Sequence, residues 1–152
     1  MILSRADFFK ELSVALESAT SERPLSIACI DIDGLYSLNQ AFGHDAGDGA
    51  IAWLRELTVE HFSSWCVLGT LGAAEPCLFS ASPTSEVIAA AERLRHEVES
   101  YVQVAPPRGG FTVTVGVHQV TDRTSHTLAI EPAFQACKRG KKSLGGNTVV
   151  VA

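Results

Sequence analysis

Asp31 and Asp33, two carboxylates one residue apart and followed at once by Gly34, form the pattern in this chain that most suggests chemistry. They follow a continuous apolar run, Ile27-Ala28-Cys29-Ile30, too short for a typical helix and flanked by Pro24 and Gly34. That is the pattern of a strand buried on both faces. Acids at the end of such a strand, beside a helix start, make poor core, because an unpaired buried carboxylate is costly. They suit a cation, and Gly34 lets the backbone come close to a phosphate. A short helical segment, Leu35 to Phe42, then carries Asn39 toward a turn at Gly43, and Asp48 opens the next helix after Gly47. A plainer reading exists for each residue. Asp31 and Asp33 can cap the following helix with no metal, while Asn39 serves as a turn bond and Asp48 as an N-cap. Both readings stay open on these residues alone.

The elements that must position these groups can be read in chain order. Ser4 caps a first helix to about Ala19, with Phe8, Leu12, Ala15 and Leu16 as its apolar stripe. After the central strand, a helix from Gly47 to about Phe62 shows Ala50, Trp53, Leu54 and Leu57 at helical spacing. Trp65 to Gly69 and Cys77 to Ser80 read as a hairpin whose turn spans Thr70 to Pro76. Ser82-Pro83 starts a helix with the stripe Val87, Ala91, Leu94, Val98 and Tyr101. A Pro-Pro and Gly-Gly loop covers Ala105 to Gly110. Phe111 to His118 alternates as a strand, a helix runs from about Thr127 to Lys142, and Thr148 to Val151 is a last strand after Gly145-Gly146. Mixed strands with intervening helices predict an α/β or α+β sandwich, helices packed on a central sheet of about five strands.

A length of 152 residues fits one domain, residues 1–152, with an ordinary core. A formal charge of −5 argues against a nucleic-acid backbone as main partner. No apolar run approaches about 18 residues and no signal peptide opens the chain, so the expectation is a soluble, cytoplasmic protein. Cys29, Cys66, Cys77 and Cys137 share no metal-ligand spacing and read as reduced structural thiols.

The stretch from Asp31 to Asp48, DIDGLYSLNQAFGHDAGD, resembles the opening motif of the GGDEF family, the diguanylate cyclases, whose pattern is DxDxFKxxNDxxGHxxGD. Both aspartates, the Asn, Phe-Gly-His and the final Gly-Asp fall in register. Leu3-Ser-Arg-Ala-Asp-Phe-Phe is similar to the family's start, Phe111 to Val117 to its VTVSIGV strand, and Gly145-Gly-Asn-Thr-Val-Val-Val to its closing GRNRVVV. The resemblance implies a nucleotidyl-cyclase palm, a ferredoxin-like core on a five-stranded, mostly antiparallel sheet flanked by helices. It implies two GTP-loaded domains making cyclic di-GMP, each 3′-hydroxyl attacking the opposite α-phosphate while divalent cations neutralise charge. By the same resemblance Asp31, the Ile32 carbonyl and Asp33 would hold Mg2+. Asn39 and Asp48 would read the guanine edge. The amides of Gly34 and Leu35 would approach the phosphates, and Lys142 matches a phosphate-binding lysine.

The chain departs from the family where the chemistry is done. The GGDEF hairpin aligns with Gly72-Ala73-Ala74-Glu75-Pro76, so its second Gly is Ala73 and its metal-ligating acid is Ala74. Glu75 is the residual acid, and Pro76 removes an N–H and restricts Glu75. The family lysine of the first motif is Tyr36, and the arginine paired with Lys142 is Gly146. Removing one stabilising group of this kind costs roughly 10²–10³ in rate. Three losses argue against ordinary cyclase turnover and leave any Mg2+ site weakened. The inhibitory product site aligns with the uncharged Ser63-Ser64-Trp65-Cys66, so feedback through it should be absent. The expectation is a degenerate signalling domain that binds GTP or a related guanine nucleotide and regulates a partner in cyclic di-GMP signalling. The alternatives are an interaction or homodimerisation module without nucleotide, and an atypical cyclase of low activity in which Asp31, Asp33 and Glu75 hold cations.

Overall fold

The computed structural model describes residues 1–72, 74–104 and 110–152. Helix α1 (Arg5–Leu16) is capped by Ser4, whose hydroxyl accepts from the Asp7 N–H at 3.2 Å. Strand β1 (Leu25–Asp33) leads through Gly34 into α2 (Leu35–Phe42) and α3 (His44–Phe62). The hairpin β2 (Val67–Gly72) and β3 (Glu75–Ser80) follows, then α4 (Thr84–Val104), β4 (Thr112–Val120), α5 (His126–Ser143) and β5 (Thr148–Val151). The five strands form one sheet in the order β2-β3-β1-β4-β5. All neighbours are antiparallel except β4 and β5. This is the five-stranded, mostly antiparallel sheet the sequence implies.

The sheet has a core on each face because successive side chains along a strand point to opposite sides. Ala28, Ile30 and Ile32 of β1 join Leu78, Val113, Val115 and Val117 against α3 and α4. Ile27 and Cys29 join Cys77 and Phe79 against Phe8, Leu12 and Leu16 of α1 and Ala129, Ile130 and Ala133 of α5. Helix α5 lies directly on β4. A methyl on Gly116 would stand 2.0 Å from the Ala133 carbonyl oxygen, so only glycine permits the approach.

Several boundaries differ from the sequence expectation. β1 continues through both acids, because every residue from Leu25 to Asp33 pairs with β4. α3 begins at His44, three residues early, because Gly43 turns the chain sharply with φ 88° and ψ 166°. Asp48 is therefore inside α3 and not its N-cap. The hairpin strands extend to Gly72 and from Glu75, so the turn is tighter than Thr70 to Pro76, and Pro76 is paired with Thr70 in the sheet. Tyr101 is 48% exposed at the end of its stripe and packs on Trp53, ring centroids 4.4 Å apart. Of the expected Ala105 to Gly110 loop, residues 105–109 lie outside the described residues, as does Ala73 of the hairpin turn.

Candidate functional site

The site forms where β1 ends, against the last turn of α5 and the start of β5. Asp31 and Asp33 share one side of the strand, yet their surroundings differ. The Asp33 carboxylate accepts from the hydroxyls of Thr112 and Thr114, each at 2.7 Å, and from the Asn147 N–H at 2.8 Å. Three donors satisfy it as a fastener between β1, β4 and the approach to β5. That approach is a run of left-handed residues, Gly145 at φ 78°, Gly146 at φ 76° and Asn147 at φ 50°. A side chain on Gly146 would begin 2.8 Å from the Asp33 carboxyl carbon. The position where the family carries an arginine is thus closed to one in this conformation.

Asp31 is held by a lysine. Lys141 Nζ lies 2.7 Å from Asp31 Oδ2 and donates to the Ile32 carbonyl oxygen at 2.7 Å. These are two of the oxygens that the resemblance assigns to a metal, Asp33 supplying the third group. The resemblance pointed to Lys142, which is exposed, whereas the lysine that reaches the site is Lys141. A signal for this was present in the sequence. Ala133, Cys137 and Lys141 recur every four residues, and Ala133 and Cys137 are buried on the sheet-facing side of α5.

Glu75, at the foot of β3, lines a cavity of about 50 Å3 with Cys29, Asp31, Leu71, Phe134, Cys137 and Lys138. The fold therefore brings Glu75 and Asp31 to one cavity. Ala74 at the adjoining turn supplies no oxygen side chain. Burial keeps the nearby thiols protonated: Cys137 is pushed up to about 12 by desolvation, with Asp31 adding to the shift. Cys29 and Cys77 are shifted upward for the same leading reason. All four cysteines are free.

The second half of the site is the corner between α2 and α3. Gly34, exposed and left-handed at φ 68°, caps α2 with no side-chain hydrogen bond, so the first N–H groups of that helix, beside Leu35, have no intrahelical acceptor. Asn39 packs against Gly47 so closely that a methyl there would lie 1.8 Å from Asn39 Oδ1. That oxygen is buried and has no hydrogen-bond partner. Asp48, the next residue after Gly47, is exposed. An open cleft of about 380 Å3 borders the same helix, lined by Asp33, Gly34, Ser37, Leu38, Phe42 and Phe111 among others. Gly34, Leu35, Asn39 and Asp48 thus cluster around α2, while Asp31, Asp33 and Lys141 sit at the strand end. Lys142 is exposed and makes no hydrogen bond to either group among the described residues.

A divalent cation takes several oxygen ligands, carboxylates foremost. Here Asp33 is satisfied by three neighbours, Asp31 is paired with Lys141, and residue 74 is alanine. Among the described residues no three His, Cys, Asp or Glu side chains converge on a common point. In this conformation the residues do not fit a Mg2+ ion.

Comparison with known proteins matches residues 1–147 to the family described as diguanylate cyclase, GGDEF domain. A probable diguanylate cyclase of Escherichia coli, DgcC, is 30% identical over 133 residues, 86% of this chain and 36% of that protein. An uncharacterised protein of Mycobacterium tuberculosis is 30% identical over 132 residues, 84% of this chain and 21% of its own length. The chain thus spans about a third or less of the curated relatives it matches. Among solved structures, the GGDEF domain of Caulobacter crescentus DgcB in complex with c-di-GMP superposes with a TM-score of 0.88 at 24% identity, covering 99% of this chain and 88% of that one. The FimX GGDEF domain from Pseudomonas aeruginosa gives 0.83 at 22% identity, covering 99% and 94%. With a family match over nearly its whole length on a palm of the expected topology, this chain belongs to the GGDEF domain family of the diguanylate cyclases.

Proposed function

We propose that this chain is a GGDEF domain of cyclic di-GMP signalling that does not turn over GTP but binds guanine nucleotide and regulates a partner in the cytoplasm. The observation that carries the first half is the state of the strand-end oxygens. Asp31 is ion-paired, Asp33 has three internal donors, and Ala74 offers no carboxylate. Support for the second half comes from the corner at Asn39. Its unpaired amide oxygen is a standing cost of about 1–3 kcal/mol. A guanine edge, with donors and acceptors side by side, would relieve that cost once the amide turned toward it, while exposed Asp48 accepts from ring N–H and amine. The amides at Gly34 and Leu35, where α2 begins, suit phosphate oxygens.

Calorimetric titration with GTP tests this reading. It expects saturable heat at one site per chain, in the presence or absence of Mg2+. No heat and no thermal shift with GTP would remove the nucleotide. The interaction-module reading would then stand, favoured by Tyr36 and Phe42, 77% and 52% exposed on α2.

A further inference from the structure

We propose that Lys141 is a built-in replacement for the divalent cation at the end of β1, so that this corner takes up neither Mg2+ nor Mn2+, and that removing its ammonium alone reopens a cation site. The inference deepens the reading above by explaining how the corner stays assembled without an ion, and it does not require nucleotide. The Lys141 ammonium lies 2.7 Å from the Asp31 carboxylate and 2.7 Å from the Ile32 carbonyl. An ion held by those two oxygens at about 2.0–2.6 Å would occupy the ammonium's own volume. The two cations therefore exclude each other by space as well as by charge.

The lysine is placed to stay. It stands in the last turn of α5, where a cation also meets the helix's negative end. Its side chain is 28% exposed and that of Asp31 30%, so water screens the pair only in part. Cys137, one turn earlier, is buried and donates to the Thr114 carbonyl at 3.3 Å, fixing this face of α5 on the sheet. A single ammonium neutralises Asp31 yet cannot bridge phosphate oxygens as a divalent ion does. The substitution keeps the architecture and gives up the chemistry. Across the shared cavity, Glu75 is a second carboxylate that a cation could recruit once Lys141 is gone.

Mn2+ titration followed by water-proton relaxation tests this on the nucleotide-free chain. The natural sequence should show no saturable Mn2+ site. Lys141→Met, which keeps the length of the side chain, should bind one Mn2+ roughly tenfold or more tightly than the natural sequence, because the like charge is gone. Adding Asp31→Asn to that variant should abolish the gain. The inference is overturned if the natural sequence binds an Mn2+ that Asp31→Asn removes, or if folded Lys141→Met binds no better than its parent. A second measurement needs no variant. In amide spectra of the natural chain, added Mn2+ should leave the Asp31, Ile32 and Lys141 signals unbroadened, and their selective loss would contradict the proposal. Neither experiment contains GTP, so either result leaves nucleotide binding to be judged by calorimetry alone.

Discussion

At the scale of single residues, two aspartates that look equivalent in the sequence have been given different work. Asp33 is a structural fastener, and its donors come from 79, 81 and 114 residues away. Asp33→Ala should lower stability by about 2–4 kcal/mol, since it strands two hydroxyls and one backbone N–H. Chemical denaturation would measure it, and GTP affinity should be unchanged in the folded fraction. A loss of only a few tenths would deny the fastener role. At the other corner, Asp48→Ala should weaken GTP binding by about 1–3 kcal/mol by leaving a polar edge of the base unpaired, and equal calorimetric affinity would take Asp48 out of the pocket. Asp31, Asp33, Asn39 and Asp48 stand out in the sequence because DxDG and the Asn-Gly-Asp spacing are local patterns. Their partners do not. Nothing near Asp33 announces Thr112, Thr114 or Asn147, and only the four-residue spacing of Ala133, Cys137 and Lys141 distinguishes Lys141 from Lys142.

Among elements, the assembly turns on α5 lying against β4 and on the short bridge that follows it. Gly116→Ala would push a methyl to 2.0 Å from one helix backbone atom and 2.5 Å from another. Backbone cannot yield as a side chain can, so the cost should be about 1–3 kcal/mol or more, read from the denaturation midpoint. The bridge to β5 is tied to α4 by Glu99, which accepts from the Asn147 side-chain amide at 3.0 Å and pairs with Arg95 at 2.8 Å. The Asn147 hydrogen bond, with Arg95 beside it, holds the Glu99 carboxyl below its ordinary 4.5. A depressed carboxylate adds stability above its unfolded pKa and loses it as pH falls through the folded value. Acidification below 4.5 should therefore lower the melting temperature of the natural chain more than that of Glu99→Gln, and parallel curves would show that the link contributes nothing. Element types were readable from periodicity, as in the Val87, Ala91, Leu94, Val98 stripe. Their ends were less so, because the sheet ladder carried β1 past its apolar run and Gly43 allowed α3 to start early.

For the whole molecule, the proposed loss of turnover leaves the fold intact. One sheet with a core on each face explains this, since neither core draws on the strand-end acids. The palm can keep its shape while Ala74 and Gly146 stand where the family pattern has an acid and an arginine, and while Lys141 meets Asp31 and the Ile32 carbonyl. The family was legible in the motif from Asp31 to Asp48, and the resemblance, more than the apolar pattern, implied the palm and its sheet. Loss of turnover is the claim on which the rest depends. Incubating the chain with GTP and Mg2+ or Mn2+ and separating the products by chromatography tests it directly. No cyclic di-GMP above the no-protein control is the expected result. Accumulation over time, abolished by Asp31→Ala, would contradict the account.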